Sequence, residues 1–205
     1  MFEHKIAAIV RLSNAVDAHA ACTCLIESGF KLVELTLTTP DALDIIKTLA
    51  KTAPADVLIG AGTVMDAFQA RAAIDSGAQF VVSAIAETGI IRPCREAGVV
   101  SIPGAMTPTE IVACWRLGAN VIKVFPAGVI GGINFIKAIR GPLPEIPLWV
   151  SGFVPARDAK SYLAAGVQLV GLTTELFPSE TILAKDWSTL TEHMRACLAT
   201  AQTSP

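Results

Sequence analysis

The sequence has no block of lysine and arginine, no uncharged apolar run of 18 residues and no low-complexity linker. Without the first, and with a formal net charge of -2, nucleic acid and anionic membrane find little to bind. Without the second there is no candidate transmembrane helix. The apolar run inside the opening MFEHKIAAIVRLSNA is also too short for a signal peptide and lacks a good cleavage pattern. Without the third, residues 1–205 read as one domain, with residues 201–205 expected to fray. Cysteine is sparse and odd in number: Cys22, Cys24, Cys94, Cys114 and Cys197. No pair has further ligands at metal-site spacing, and Cys22 and Cys24 point in different directions on a helix. Reduced core thiols in a cytoplasmic protein, without metal, are the expectation. His4, His19 and His193 are far apart in sequence and read as surface or helix residues. Charged residues make up only 17% against 52% hydrophobic, which excludes disorder and favours strands buried on both faces.

What is present is an alternation of short apolar runs and helical patterns. Strands are expected at 6–10, 31–37, 57–59, 79–83, 99–102, 121–125, 148–151 and 167–172, each followed by a helical segment. Asn14 or Ser13, Asp66 and Thr107 stand where helix N-caps belong, and Pro40 and Asp41 look placed to open the second helix. Five helices stop in nearly the same way, in ESGFKLVEL, DSGAQFVVS, EAGVVSIPG, RLGANVIKVF and AAGVQLVGL. In each, glycine supplies a left-handed stop and the chain enters a β-rich run at once. Eight such units fit an α/β fold of the (β/α)8 TIM-barrel type, compact beside the usual length of about 250 residues. An open doubly wound sheet is the runner-up, and the missing G-x-G-x-x-G first turn counts against it.

The unusual residues gather at the strand ends, where a barrel carries its chemistry. Lys123 is the single charge in the apolar strand of GANVIKVFPAG, residues 118–128. Glu34 sits inside the second strand, and residues two apart share a face, so Glu34 goes with Thr36 and Lys123 with Phe125. If both faces point inward, a carboxylate and an amine meet in one apolar mouth. One reading is an ion pair without chemistry, or a lysine that snorkels from the strand end. The other is an imine-forming lysine beside a general acid/base. Imine formation needs the neutral form of an amine, which apolar surroundings favour over the ammonium. In GAGT at 60–63, the glycines read as closing a turn, and Thr63 can offer its hydroxyl and N–H to a carboxylate beside the oncoming helix. A phosphate site at the last two strand ends would use Ser151, Gly152 and Phe153 with Leu172, Thr173 and Thr174, a set lacking lysine and arginine apart from the helical Arg157.

These motifs resemble the class I aldolases that cleave 2-keto-3-deoxy-6-phospho sugar acids. The resemblance spans essentially the whole chain and is carried by AIVR at 8–11, VELTL at 33–37, GAGTV at 60–64, IPG at 102–104 and KVFPA at 123–127. It implies that Lys123 forms a Schiff base with pyruvate and that Glu34 is the general acid/base. It further implies that Arg11 and Thr63 hold the pyruvyl carboxylate, that Pro103 and Phe125 shape the pocket, and that the protein is a homotrimer needing no cofactor. Thr38 in TLTTP stands where the phosphogluconate type has arginine, and Arg11 with GLTTELF at 171–177 looks more like the phosphogalactonate type. The expected reaction is cleavage of 2-dehydro-3-deoxy-6-phosphogalactonate to pyruvate and glyceraldehyde 3-phosphate. Thr173, Thr174 and Ser151 replace residues that are usually glycine and serine, which keeps a phosphogluconate or non-phosphorylated acid open. A non-catalytic barrel that binds a sugar acid is the alternative from a different class.

Overall fold

A strand that is apolar on both faces must be covered on both, and this chain achieves that by closing its sheet on itself. A computed structural model describes residues 3–203. The strands are β1 (Ile6–Val10), β2 (Leu32–Thr36), β3 (Leu58–Gly62), β4 (Phe80–Val82), β5 (Val100–Ile102), β6 (Gly104–Ala105), β7 (Ile122–Val124), β8 (Leu148–Ser151) and β9 (Leu169–Leu172). All pairings are parallel, in the order β5-β4-β3-β2-β1-β9-β8-β7-β6. The two ends of that order are one strand interrupted at Pro103, which has no N–H to give to a ladder. Hydrogen bonds flank the break on both sides, from Ser83 N–H to the Ile102 carbonyl at 3.0 Å and from Lys123 N–H to the Pro103 carbonyl at 2.9 Å. The sheet is therefore the expected eight-stranded (β/α)8 barrel with its fifth strand split.

Helices α1 (Ala15–Glu27), α2 (Ala42–Thr52), α3 (Ala67–Asp75), α4 (Ile91–Ala97), α5 (Pro108–Arg116), α6 (Gly132–Arg140) and α7 (Ala159–Ala164) follow the strands. Two more, α8 (Ser179–Ala184) and α9 (Trp187–Thr203), end the described chain, and α9 packs along α1. The five glycine joints all adopt positive φ, from 69° at Gly98 to 105° at Gly29. Asn14, Asp66 and Thr107 cap their helices through side-chain oxygens, and Thr107 forms a full capping box with Glu110. Asp41 does not cap. It lies in the left-handed region, makes no side-chain cap bond, and leaves Pro40 outside the helix. At the other end, α9 runs to Thr203 with Ala201 buried, so helix covers the first three residues expected to fray; Ser204 and Pro205 lie outside the described residues.

Two apolar layers result. The larger lies between barrel and helices, and the smaller fills the barrel with Ala7, Ile9, Leu32, Phe80, Ile102 and Trp149 among others. The rings of Phe80 and Trp149 meet at 6.0 Å between centroids, tilted by 53°. Neither ring would fit if its neighbour carried a side chain. A Cβ at Gly60 would overlap the Phe80 ring, and one at Gly171 would lie 2.5 Å from Trp149 Nε1. Small residues on β3 and β9 thus leave space for large ones on β4 and β8. No helix among the described residues is long and apolar enough to cross a membrane.

Candidate active site

Strand register fixes which side chains look into the barrel. Ile9 lies opposite Glu34, and Glu34 opposite Gly60, while Lys123 lies between Gly104 and Trp149. Because Ile9 and Trp149 belong to the inner layer, Glu34 and Lys123 are inward too. Their side chains meet, with Lys123 Nζ 3.4 Å from Glu34 Oε1 and exposures of 6% and 0%. The rings of Phe125 and Trp149 lie 5.5 and 5.7 Å from the same nitrogen, so the amine is ringed by aromatic carbon. Glu34 Oε2 has no hydrogen-bond partner although it is buried, and neither do Trp149 Nε1 and Ser151 Oγ. All three belong to inward residues of the barrel, and Ser151 lines the same cavity as Lys123.

The glycines of GAGT do a different job from the one expected. β3 continues through Gly62, so Gly60 and Gly62 are inward strand positions and do not close a turn. A Cβ on Gly62 would overlap the Glu34 carboxylate. Thr63 follows with φ 56°, a conformation that side chains with a branched β-carbon rarely hold. Its hydroxyl accepts a bond from Arg11 Nη2 at 3.1 Å. These two residues, 52 apart in sequence, therefore meet at the barrel rim. The N-terminus of α3 is already capped by the Asp66 side chain, so the helix contribution expected beside Thr63 is not free there.

A cavity of about 450 Å3 opens above Lys123. Of the residues expected in the site, Arg11, Lys123 and Phe125 line one part of it. Ser151, Gly152, Phe153, Thr173 and Thr174 line the other. Four expected residues do not line it: Glu34 and Thr63 are bonded to Lys123 and Arg11, which do, and Leu172 and Pro103 lie elsewhere. Leu172 is buried in the layer between barrel and helices, because its neighbours Gly171 and Thr173 take the inward phase. Pro103 is buried at the strand break and acts through its carbonyl on the Lys123 backbone. Conversely, Ile9, Leu12, Phe177 and Ser179 line the cavity and escaped the sequence reading. Ile9 could have been found, since it is two residues before Arg11 and shares its face. A second cavity of about 290 Å3 lies at the opposite end, by Lys5, Lys31 and Lys160, where barrels build stability rather than chemistry. There Lys31 is paired with Asp56 at 2.6 Å.

The parallel barrel carries a buried lysine–carboxylate pair beneath an open cavity, and comparisons with known proteins show the class of enzyme: this is a class I aldolase, a carbon–carbon lyase. The chain belongs to the KDPG and KHG aldolase family, whose model matches residues 1–193. It is 38% identical over 176 residues to a probable 2-dehydro-3-deoxy-6-phosphogalactonate aldolase of Rhizobium meliloti (strain 1021), covering 85% of this chain and 82% of that one. It is 32% identical over 194 residues to a 2-dehydro-3-deoxy-phosphogluconate aldolase of Pseudoalteromonas atlantica, covering 94% and 89%. Among solved structures, KDPG aldolase from Legionella pneumophila, with pyruvate captured as a covalent carbinolamine, superposes with a TM-score of 0.85 at 29% identity over 97% of this chain and 95% of that one. A native KDPGal structure superposes with a TM-score of 0.81 at 26% identity, over 97% and 98%. Membership of this family removes the non-catalytic binding barrel from consideration.

Proposed function

We propose that Lys123 is the imine-forming residue and Glu34 the proton carrier in cleavage of a 2-keto-3-deoxy sugar acid to pyruvate and an aldehyde. The observation that carries this is the buried contact of 3.4 Å between the two groups under the cavity. Lys123 Nζ attacks the C2 ketone and the carbinolamine loses water to give an iminium. Glu34 takes the C4 hydroxyl proton, directly or through water, while the C3–C4 electron pair moves into the iminium. The aldehyde leaves, C3 of the enamine is protonated, and water releases pyruvate. Arg11 and Thr63 hold the substrate carboxylate, with Phe125 as the apolar wall beside the imine. Borohydride added with pyruvate, followed by peptide mass mapping, is expected to place a reduced adduct on Lys123. An unmodified Lys123 peptide would end this proposal.

The finer reading is 2-dehydro-3-deoxy-6-phosphogalactonate as substrate and glyceraldehyde 3-phosphate as second product. The 38% identical relative supports it, whereas the phosphogluconate relatives support the C4 epimer. A non-phosphorylated acid is favoured by one observation: the distal wall, from Ser151 to Phe153 and from Thr173 to Ser179, contributes hydroxyls and aromatic rings but no lysine or arginine to the cavity. Initial rates on the two phosphorylated epimers and the free acid rank the three readings. The proposal extends to a cytoplasmic homotrimer. Burial of four of the five cysteines as thiols supports the compartment. Exposed Met65, Ile85 and Met106, on the loops after β3, β4 and β6, with Phe68 in the first turn of α3, support association.

A further inference from the structure

We infer that Trp149 is a positioning residue for the imine centre: its indole holds Lys123 Nζ in place under the cavity while Glu34 turns to the substrate. This rests on the imine role proposed for Lys123. A lysine stem has many rotamers to lose, and Nζ has one hydrogen bond among the described residues, to Glu34 Oε1 at the long distance of 3.4 Å. The reaction removes even that one, because Glu34 must turn to the C4 hydroxyl. Support from the flanking strands comes from one side only. The register partner of Lys123 on β6 is Gly104, which has no side chain, and on β8 it is Trp149. The indole centroid lies 5.7 Å from Nζ, within the range at which an aromatic face attracts a cation, and the nitrogen keeps its positive charge as an iminium. Phe125 is as near, at 5.5 Å, but it lines the cavity that substrate enters. Trp149 does not line it and is fully buried. The indole is itself held: Phe80 leans on it, and its Nε1 edge abuts Gly171, where a Cβ would lie 2.5 Å away. Nε1 has no partner. A buried unpaired N–H costs stability, so packing alone favours phenylalanine at this position. What the indole offers beyond phenylalanine is the face that attracts a cation best.

Steady-state kinetics and melting curves on full-length variants test this. Trp149→Leu keeps an apolar side chain without a π face and is expected to lower kcat and kcat/KM together by roughly 10²-fold, the effect of about 1 Å of misplacement. Trp149→Phe is expected to lose only about threefold, since phenylalanine is the weaker partner of a cation. Leu32→Ala, in the same inner layer but at the opposite end of the barrel, is expected to melt earlier and to keep its kcat. A kcat near that of the wild type in Trp149→Leu overturns the inference, and so does a Trp149→Phe protein as impaired as Trp149→Leu. A kcat loss in Leu32→Ala as large as that in Trp149→Leu overturns it too, because the indole would then act through packing only. If Trp149→Leu does not fold, tryptophan emission decides. In a chain with Trp115→Phe and Trp187→Phe, the one remaining indole should change its emission at the rate at which pyruvate becomes trappable by borohydride. An emission that pyruvate leaves unchanged overturns the inference. Failure of the wild type to trap pyruvate at all would instead strike the role of Lys123.

Discussion

Glu34 can stand beside Lys123 because Gly62 has no side chain. The carboxylate occupies the space that a Cβ on that glycine would take, on the neighbouring strand. Gly62→Ala should therefore push Glu34 off its contact with the amine while leaving the helices in place. The expected result is a loss of roughly 10² in kcat, the lower end of what general acid–base catalysis contributes, with a destabilisation of about 1–3 kcal/mol from overpacking. Steady-state kinetics with a thermal melt reads both; activity within twofold of wild type would disprove the packing account. The sequence displayed GAGT plainly but hid this role. A glycine reads as a turn unless the register of its strand is known, and the register depends on partners far along the chain.

Between elements, the segment after β9 is tied to its surroundings by Glu175. Its carboxylate accepts a bond from Ala156 N–H at the start of the turn before α7, and its carbonyl lies 2.6 Å from His193 Nε2 on α9. Burial pushes the Glu175 carboxyl above its ordinary value of 4.5, and Asp158 adds to this. The Ala156 N–H, Arg157 and His193 pull the other way. The folded chain thus holds this proton more tightly than the unfolded chain. Its contribution to stability is complete below the unfolded value and is lost as pH rises through the folded one. Glu175→Gln cannot ionise, so its melting temperature should fall less than that of the wild type between pH 4.5 and neutrality. Parallel melting curves across that range would show that Glu175 plays no such part. Nothing in GLTTELF announces this tie. By contrast, the caps at Asn14, Asp66 and Thr107 and the five glycine stops were legible, because each is satisfied within a few residues of itself.

For the whole molecule, the apolar side chains left at the β3 to β6 end bear on assembly. Phe68 is 80% exposed and Met65, Ile85 and Met106 each 40–48%, all following the C-terminal ends of their strands. Light scattering on the purified protein should give three times the 21.5 kDa chain mass. Phe68→Asp should shift it toward a single chain, and a monomeric wild type would remove the trimer from the proposal. The sequence by itself determined the barrel and the strand and helix order, and it singled out Lys123 as the one charge in an apolar strand, because periodicity, capping and helix stops are local properties. Its resemblance to known aldolases also pointed to the reaction. Only the tertiary structure decided that Glu34 reaches Lys123 across 89 residues of chain, that Arg11 meets Thr63, that Pro103 splits its strand, and that Leu172 turns away from the cavity. Those facts follow from strand register and closure of the sheet, where a shift of one residue exchanges inside for outside.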